Sequence, residues 1–212
     1  TLSLHGRSSD LRLIDSDWLE VEGVKLPLPL PGKHNATNLL AAIAVMKAQG
    51  LDWQTLQSGL KVDLPSGRST RVTLPNHLVF LDETYNAGVE SMTAALTLLK
   101  ETPGRRHIAV LGTMKELGAH SVRLHRQVGQ TVQDLSLDAL LTLAEPAETE
   151  ALASGASPVL TESFNDPHAL QERLKNLLQP GDCVLFKASR AIALDQVVNH
   201  LKVHFTNPSA PD

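Results

Sequence analysis

The stretch Asp166-Pro167-His168-Ala169-Leu170-Gln171-Glu172-Arg173-Leu174-Lys175-Asn176-Leu177-Leu178-Gln179-Pro180-Gly181-Asp182-Cys183-Val184-Leu185-Phe186 decides the fold. It starts as a helix and ends as a buried strand. Asp166 can accept from the free amides of a first turn, and Pro167 at the first helical position gives up no intrahelical bond. Leu170, Leu174, Leu177 and Leu178 then fall on one stripe, and Gly181 stops the period. Cys183 to Phe186 is short and continuously apolar, as a strand covered on both faces must be.

The same unit recurs upstream. Leu78-Val79-Phe80-Leu81, Ile108-Ala109-Val110-Leu111, Ala139-Leu140-Leu141 and Pro158-Val159-Leu160 read as strands. Helical periods lie near 89–101, 120–135 and 146–154. A last one, near 191–203, carries Leu194, Val197, Val198 and Leu201 on one side. Strands alternating with helices predict an α/β domain, Rossmann-like and doubly wound around a mainly parallel sheet.

Residues before 66 follow another pattern. Leu11, Leu13, Trp18, Leu19 and Val21 sit in β-compatible runs, and Pro27, Pro29 and Pro31 predict an extended connector in place of a ladder. Leu39, Ala42, Ile43 and Met46 predict a helix over 35–49, capped by Asn35 and stopped by Gly50. A short helix is expected over 53–60. The boundary between the two parts is expected at 66–70, and 206–212 should be a disordered tail.

Composition narrows the function. The 212 residues are 42% hydrophobic but only 3% aromatic, so the core must be aliphatic. A net charge of −4 argues against a broad nucleic-acid-binding surface. No apolar run approaches the roughly 18 residues of a membrane span, and no leader pattern opens the chain. A single cysteine, Cys183, forms no internal disulfide, which suits a reducing, cytoplasmic setting. No cysteine–histidine pairing predicts a metal held by the protein. Phosphate-loop, dinucleotide and serine-elbow motifs do not occur.

In an open α/β sheet, ligands sit beyond the carboxyl ends of the strands. Three polar clusters fall there: Asp82-Glu83-Thr84-Tyr85-Asn86, Gly112-Thr113-Met114-Lys115-Glu116-Leu117-Gly118, and Lys187-Ala188-Ser189-Arg190. Asp82 suits a ribose hydroxyl or a metal-nucleotide, or simply a helix cap. Lys115 and Glu116 could grip a zwitterion, or lie in a plain connection. Lys187 and Arg190 suit a carboxylate or phosphate, or a solvated helix start. His125 alone reads more readily as a packed histidine than as a catalyst. Asn35 and Asn38, three apart on one helix face, could offer donor and acceptor to an adenine edge, or serve as a cap and a solvated amide.

Taken in order, Gly32-x-His34-Asn35-x-x-Asn38-x-x-Ala41-Ala42, Gly67-Arg68, Leu81-Asp82-Glu83-Thr84-Tyr85-Asn86-Ala87, Val110-Leu111-Gly112-x-Met114-x-Glu116-Leu117-Gly118, His125 and Lys187-x-Ser189-Arg190 have the order and spacing of the Mur ligases. The resemblance covers residues 20–202. Three stretches, Tyr85-Asn86-Ala87, the Gly112 loop and Lys187-x-Ser189-Arg190, are similar to the members that add D-alanyl-D-alanine to UDP-N-acetylmuramoyl-tripeptide in peptidoglycan precursor synthesis.

The resemblance implies a three-domain, ATP- and Mg2+-dependent amide ligase working through an acyl phosphate. Residues 1–67 would be the end of its central ATP-binding domain, and 68–205 its C-terminal domain. The phosphate loop would lie upstream, which would also account for a first residue of Thr1, and the chain alone would be inactive. Asn35, Asn38, Arg68, Asp82 and Asn86 would be ATP-binding; Lys115, Glu116, Lys187, Ser189 and Arg190 would face D-alanyl-D-alanine. The general base is unassigned, His125 being a weak candidate, and no metal ligand is expected in this chain. A cytoplasmic monomer is implied. Glu83, Thr113, Ala188 and Gly88-Val89 stand where the family commonly has Asp, Asp, Gly and Asn-Pro. The alternatives are another Mur-type or folylpolyglutamate ligase, or a non-catalytic α/β ligand-binding module.

Overall fold

The computed structural model describes residues 11–15, 17–63 and 67–206. They form two compact units, Thr1–Leu64 and Pro65–Asp212.

In the first unit, β1 (Leu11–Leu13), β2 (Trp18–Val21) and β3 (Val24–Pro27) make an antiparallel sheet in that order. Glu22 and Gly23, both at positive φ, close the β2–β3 hairpin in two residues, the turn whose twist matches that of the strands. Helix α1 (Lys33–Ala48) packs Ala36, Leu39, Leu40 and Ile43 with Leu19, Val21, Leu26 and Trp53.

Three expectations here are corrected. Pro27 does join the ladder, opposite Trp18, because β3 is an edge strand and its last residue can lack an N–H. Helix α1 begins two residues earlier than expected, since Gly32 takes the pre-helical position at φ 100°. Asn35 therefore sits inside the first turn and is not the cap. The expected short helix is a 3₁₀ turn, Trp53–Ser58, capped by Asp52 accepting from the Gln54 amide at 2.9 Å.

The second unit runs β4 (Thr70–Thr73), β5 (Val79–Glu83), α2 (Val89–Glu101), β6 (His107–Gly112), α3 (Ser121–Asp134), β7 (Ala139–Leu143), α4 (Pro146–Ala156), β8 (Leu160–Phe164), α5 (Pro167–Leu177), β9 (Cys183–Lys187) and α6 (Leu194–Thr206). The sheet order is β4-β5-β9-β6-β7-β8, parallel except for β4. This is the expected α/β architecture with a mainly parallel sheet.

Alternation along the strands divides the core in two. Leu81, Ala109, Leu111, Leu140, Cys183 and Leu185 pack with Met92, Leu96, Leu99, Val128, Val132 and Leu152 of α2, α3 and α4. Phe80, Ile108, Val110, Leu141, Val184 and Phe186 pack with Leu170, Leu174, Val197, Val198 and Leu201 of α5 and α6. Phe80 and Phe186 meet edge-on at 4.9 Å, so even a core poor in aromatics places two of them at its centre. At the amino ends of the strands, buried Asp182 takes Arg106 through two bonds, Nε at 2.9 Å and an NH2 at 2.6 Å, and also accepts from the Gln179 amide.

Asp166 caps α5 as expected, accepting from the Ala169 amide at 2.8 Å. Strand β4 was not expected; its Thr-Arg-Val-Thr alternation is the signal that announces it. The fourth predicted strand starts at Leu160, after Pro158, because α4 runs on to Ala156. The last helix is divided: Arg190–Ile192 form a 3₁₀ turn, Ala193 turns left-handed at φ 54°, and α6 starts at Leu194. Thr206, expected in the tail, closes α6; the rest of that tail, 207–212, lies outside the described residues.

Two glycines set the α3–α4 crossing. A Cβ on Gly129 would fall 2.2 Å from the Leu152 carbonyl, and one on Gly155 2.2 Å from the Arg126 carbonyl. Backbone cannot yield as a side-chain tip does. Gly129→Ala is therefore expected to destabilise the chain by about 1–3 kcal/mol, despite alanine's better helix propensity. Urea unfolding measures this, and an unchanged midpoint would show that the crossing relaxes. Burial also pushes the Cys183 thiol up to about 12. Alkylation at pH 8 should therefore leave Cys183 unmodified in the folded chain and label it in denaturant.

Candidate functional site

Parallel pairing sets the site. Glu83 on β5 lies opposite Lys187 on β9, and Lys187 opposite Leu111 on β6, so three strand ends and their loops emerge side by side.

Lys187 is buried, and its Nζ donates to the Asn86 carbonyl at 2.9 Å. Glu83 Oε2 stands 3.9 Å away. Burial lowers the Lys187 pKa and Arg68 adds to that, while Glu83 opposes both. The Arg68 guanidinium lies 4.0 Å from the Tyr85 ring centroid, and that of Arg190 lies 5.4 Å from it. Gly67 makes this stacking reachable. At φ 79° its carbonyl accepts from the Tyr85 amide at 2.9 Å, and a Cβ would fall 2.6 Å from Thr84 Oγ1. The next residue, Arg68, is thereby delivered over the ring.

Arg68 and Arg190 thus gather over Tyr85, and Lys187 holds the carbonyl of the next residue, Asn86. Among the described residues the ion pair recorded in this cluster is Lys187 with Glu83. Such a donor set fits a phosphate or a carboxylate. Asp82 turns inward: Oδ1 accepts from the Thr84 hydroxyl at 2.7 Å, and Oδ2 pairs with Lys202 of α6 at 3.1 Å. It does not cap α2, whose N-cap is Gly88. Asn86 is exposed, and its Oδ1 accepts from the Ala87 amide.

The loop after β6 is fastened from two sides. Ser189 donates its amide to the Thr113 carbonyl at 3.1 Å, and its Oγ accepts from the Lys115 amide at 2.9 Å. The Met114 amide donates to His125 Nε2 at 3.0 Å. Gly112 permits the approach, since a Cβ there would meet that of Ala188 at 2.6 Å. Lys115 and Glu116 stand exposed at the tip, Glu116 at φ 66°. Behind the loop lies a pocket of about 420 Å³ lined by Thr113, Leu143, Ala144, Glu145, Asn165 and Ile192.

His125 is placed differently from a general base. It is fully buried, with Nε2 occupied by Met114 and Nδ1 2.8 Å from the Ser121 carbonyl. Neither nitrogen is open to a substrate proton. Ser121 Oγ donates in turn to Glu148 Oε1 at 2.6 Å. The Glu148 pKa lies below the ordinary value: burial raises it, but the Ser121 bond, the nearby Thr113 hydroxyl and Lys115 oppose that. Thr113 Oγ1 and Glu148 Oε2 have no partner of hydrogen-bond geometry among the described residues, so Thr113 acts there by proximity.

In the first unit, Asn35 is buried and donates to the Pro31 carbonyl at 2.8 Å, while exposed Asn38 reaches Asn35 Oδ1 at 3.4 Å. The two amides do share a face. Sequence reasoning missed Tyr85, Lys202, Ser121 and Glu148 as partners, and the partnerships of Lys202 and Glu148 carry no local signal. It also passed over His200 and His204, one turn apart on α6. Among the described residues no group of three or more His, Cys, Asp or Glu is placed to hold a metal, and no helix is long and apolar enough to cross a membrane.

A cluster of cations thus stands at the strand ends of a mainly parallel sheet, beside a loop fastened by side chains. The family described as "Mur ligase, glutamate ligase domain" matches residues 67–190, and the chain belongs to it. The UDP-N-acetylmuramoyl-tripeptide–D-alanyl-D-alanine ligase of Synechocystis sp. is 53% identical over 89% of the chain and 41% of that protein. The ligase of the same name from Escherichia coli K12 is 38% identical over 86% of the chain and 40% of its own length. A crystal structure of MurF from Acinetobacter baumannii superposes with TM-score 0.79 at 27% identity, over 92% of this chain and 44% of that one. MurF from Thermotoga maritima in complex with ADP gives TM-score 0.74 at 26% identity, over 95% and 47%. The chain thus spans about two-fifths of the length of these curated relatives.

Replacing Ser189 by Ala removes the acceptor for the Lys115 amide and leaves that of Met114 in place. Amide exchange followed by NMR should speed up at Lys115 by about tenfold or more, with Met114 unchanged. Equal acceleration at both would show that the two fastenings are not independent.

Proposed function

We propose that this chain is the C-terminal part of an ATP-dependent ligase joining D-alanyl-D-alanine to UDP-N-acetylmuramoyl-tripeptide. The observation that carries this is the 53% identity to a ligase of that name across 89% of the chain. The cation cluster supports it, since both the phosphates of a nucleotide and the free carboxylate of a dipeptide need such donors.

Residues 1–67 then belong to the end of the central nucleotide-binding domain, with Asn35 and Asn38 offering amide groups to the adenine. Arg68, held on Tyr85, serves the phosphates. Asn86 serves the nucleotide, and Asp82 acts from within by holding Thr84 and α6. Lys187 and Arg190 face the dipeptide carboxylate, with Lys115 and Glu116 at the loop tip suited to its two charged ends. Ser189 shapes the loop. The pocket of about 420 Å³ has room for two alanyl residues. Magnesium would neutralise the phosphates, and no ligand for it is assigned here. The setting is the cytoplasm, and the working form a monomer.

In the full-length ligase, Arg190→Ala should raise KM for D-alanyl-D-alanine about tenfold or more, the loss of a charge-assisted contact, and leave KM for ATP near its original value. Equal rises would count against the assignment. The isolated 212-residue chain, which carries no phosphate loop, should release no phosphate from ATP with any acceptor; release above background would overturn that.

A further inference from the structure

We propose that His125 is a positioning residue that fixes the conformation of the Gly112–Gly118 loop, and through it the placement of Lys115 and Glu116 toward the acceptor. The inference rests on the functional reading above for the identity of that acceptor. A backbone N–H can only donate, so the 3.0 Å contact from the Met114 amide requires a lone pair on Nε2. The imidazole is therefore neutral and carries its proton on Nδ1, which donates to the Ser121 carbonyl at 2.8 Å. Ser121 Oγ completes the chain by donating to Glu148 Oε1 at 2.6 Å. One buried ring thus ties the loop after β6 to the first turn of α3, and that turn to α4.

This tie has a specific consequence. Glu116 occupies the left-handed region at φ 66°, which a non-glycine residue keeps only when its surroundings impose it. Its neighbours are held at two points: Met114 by His125 and Lys115 by Ser189. Met114 is itself buried, its side chain in the α2–α3–α4 core. With the His125 acceptor gone, the Met114 amide would be buried without a partner, and the loop would gain by turning it toward water. The exposed tip would move with it.

The test uses the full-length ligase with His125→Gln, His125→Asn and His125→Leu. Gln can bring an oxygen to the place of Nε2, whereas Asn is too short and Leu offers no acceptor. KM for D-alanyl-D-alanine should rise about tenfold in Asn and Leu, KM for ATP should stay within about twofold, and Gln should recover most of the loss. Equal rises in both KM values, or a Gln variant no better than Leu, would overturn the proposal. Exchange at the Met114 amide supplies a readout free of substrate identity: faster in Asn and Leu and retained in Gln is expected, and no change in Asn overturns the proposal. If the wild-type enzyme does not use D-alanyl-D-alanine, the acceptor reading fails, and the exchange result alone decides the role of His125. Should Asn not fold, His125→Met fills the volume without an accepting nitrogen and takes its place.

Discussion

The site depends on the insertion of β9 between β5 and β6. Its five residues pair in parallel with both neighbours, and every one of them is buried. This central position is what sets Lys187 beside Glu83 and Asn86 on one side and delivers Ser189 to the Thr113–Lys115 loop on the other. A chain segment more than a hundred residues after β5 thereby completes the loop that follows β5. Because the side-chain period of a strand is two, slipping β9 by one residue would turn Val184 and Phe186 to the wrong core and send Lys187 to the opposite face. The same apolar alternation that fills the two cores fixes the site.

Burial of Lys187 has a cost that explains its surroundings. An ammonium withdrawn from water needs a carbonyl or a carboxylate close by. The Asn86 carbonyl supplies a direct bond, and Glu83 supplies charge at 3.9 Å. One carboxylate does not balance Lys187, Arg68 and Arg190. The Tyr85 ring offers its negative face to both guanidiniums, an attraction worth about 0.5–2 kcal/mol per contact and without a counter-charge. The cluster therefore keeps an excess of positive charge at the strand ends, which suits an anion.

Much of this was legible in the sequence because it rests on local periodicity. The α5–β9 unit reads directly from Asp166, Pro167 and the leucine stripe, and the apolar runs that make β5, β6, β7 and β9 read from their length. What could not be read depends on contacts distant in sequence or on single backbone angles. Ala193 at φ 54° divides the last helix, although its composition suits an unbroken one. Strand β4 is four residues long with alternate residues exposed, too weak a signal to separate from loop. The polar clusters at the strand ends were visible as a group, and the stacking of Arg68 on Tyr85 was not, because it depends on the left-handed turn at Gly67. His125 is the sharpest case. The sequence already favoured a packed histidine over a catalyst, but its complete burial and its contacts with the Met114 amide and the Ser121 carbonyl come only from the fold.

The way that loop is held bears on what it can bind. A loop that grips phosphate does so with its backbone amides pointing at the anion, as in a glycine-rich nest. Here the amides of Met114 and Lys115 are both consumed, by His125 Nε2 and Ser189 Oγ. Those two amides are therefore not available to grip a phosphate. The exposed side chains at the loop's tip, Lys115 and Glu116, carry opposite charges. That pairing suits a ligand with a free amine and a free carboxylate better than one with phosphate alone.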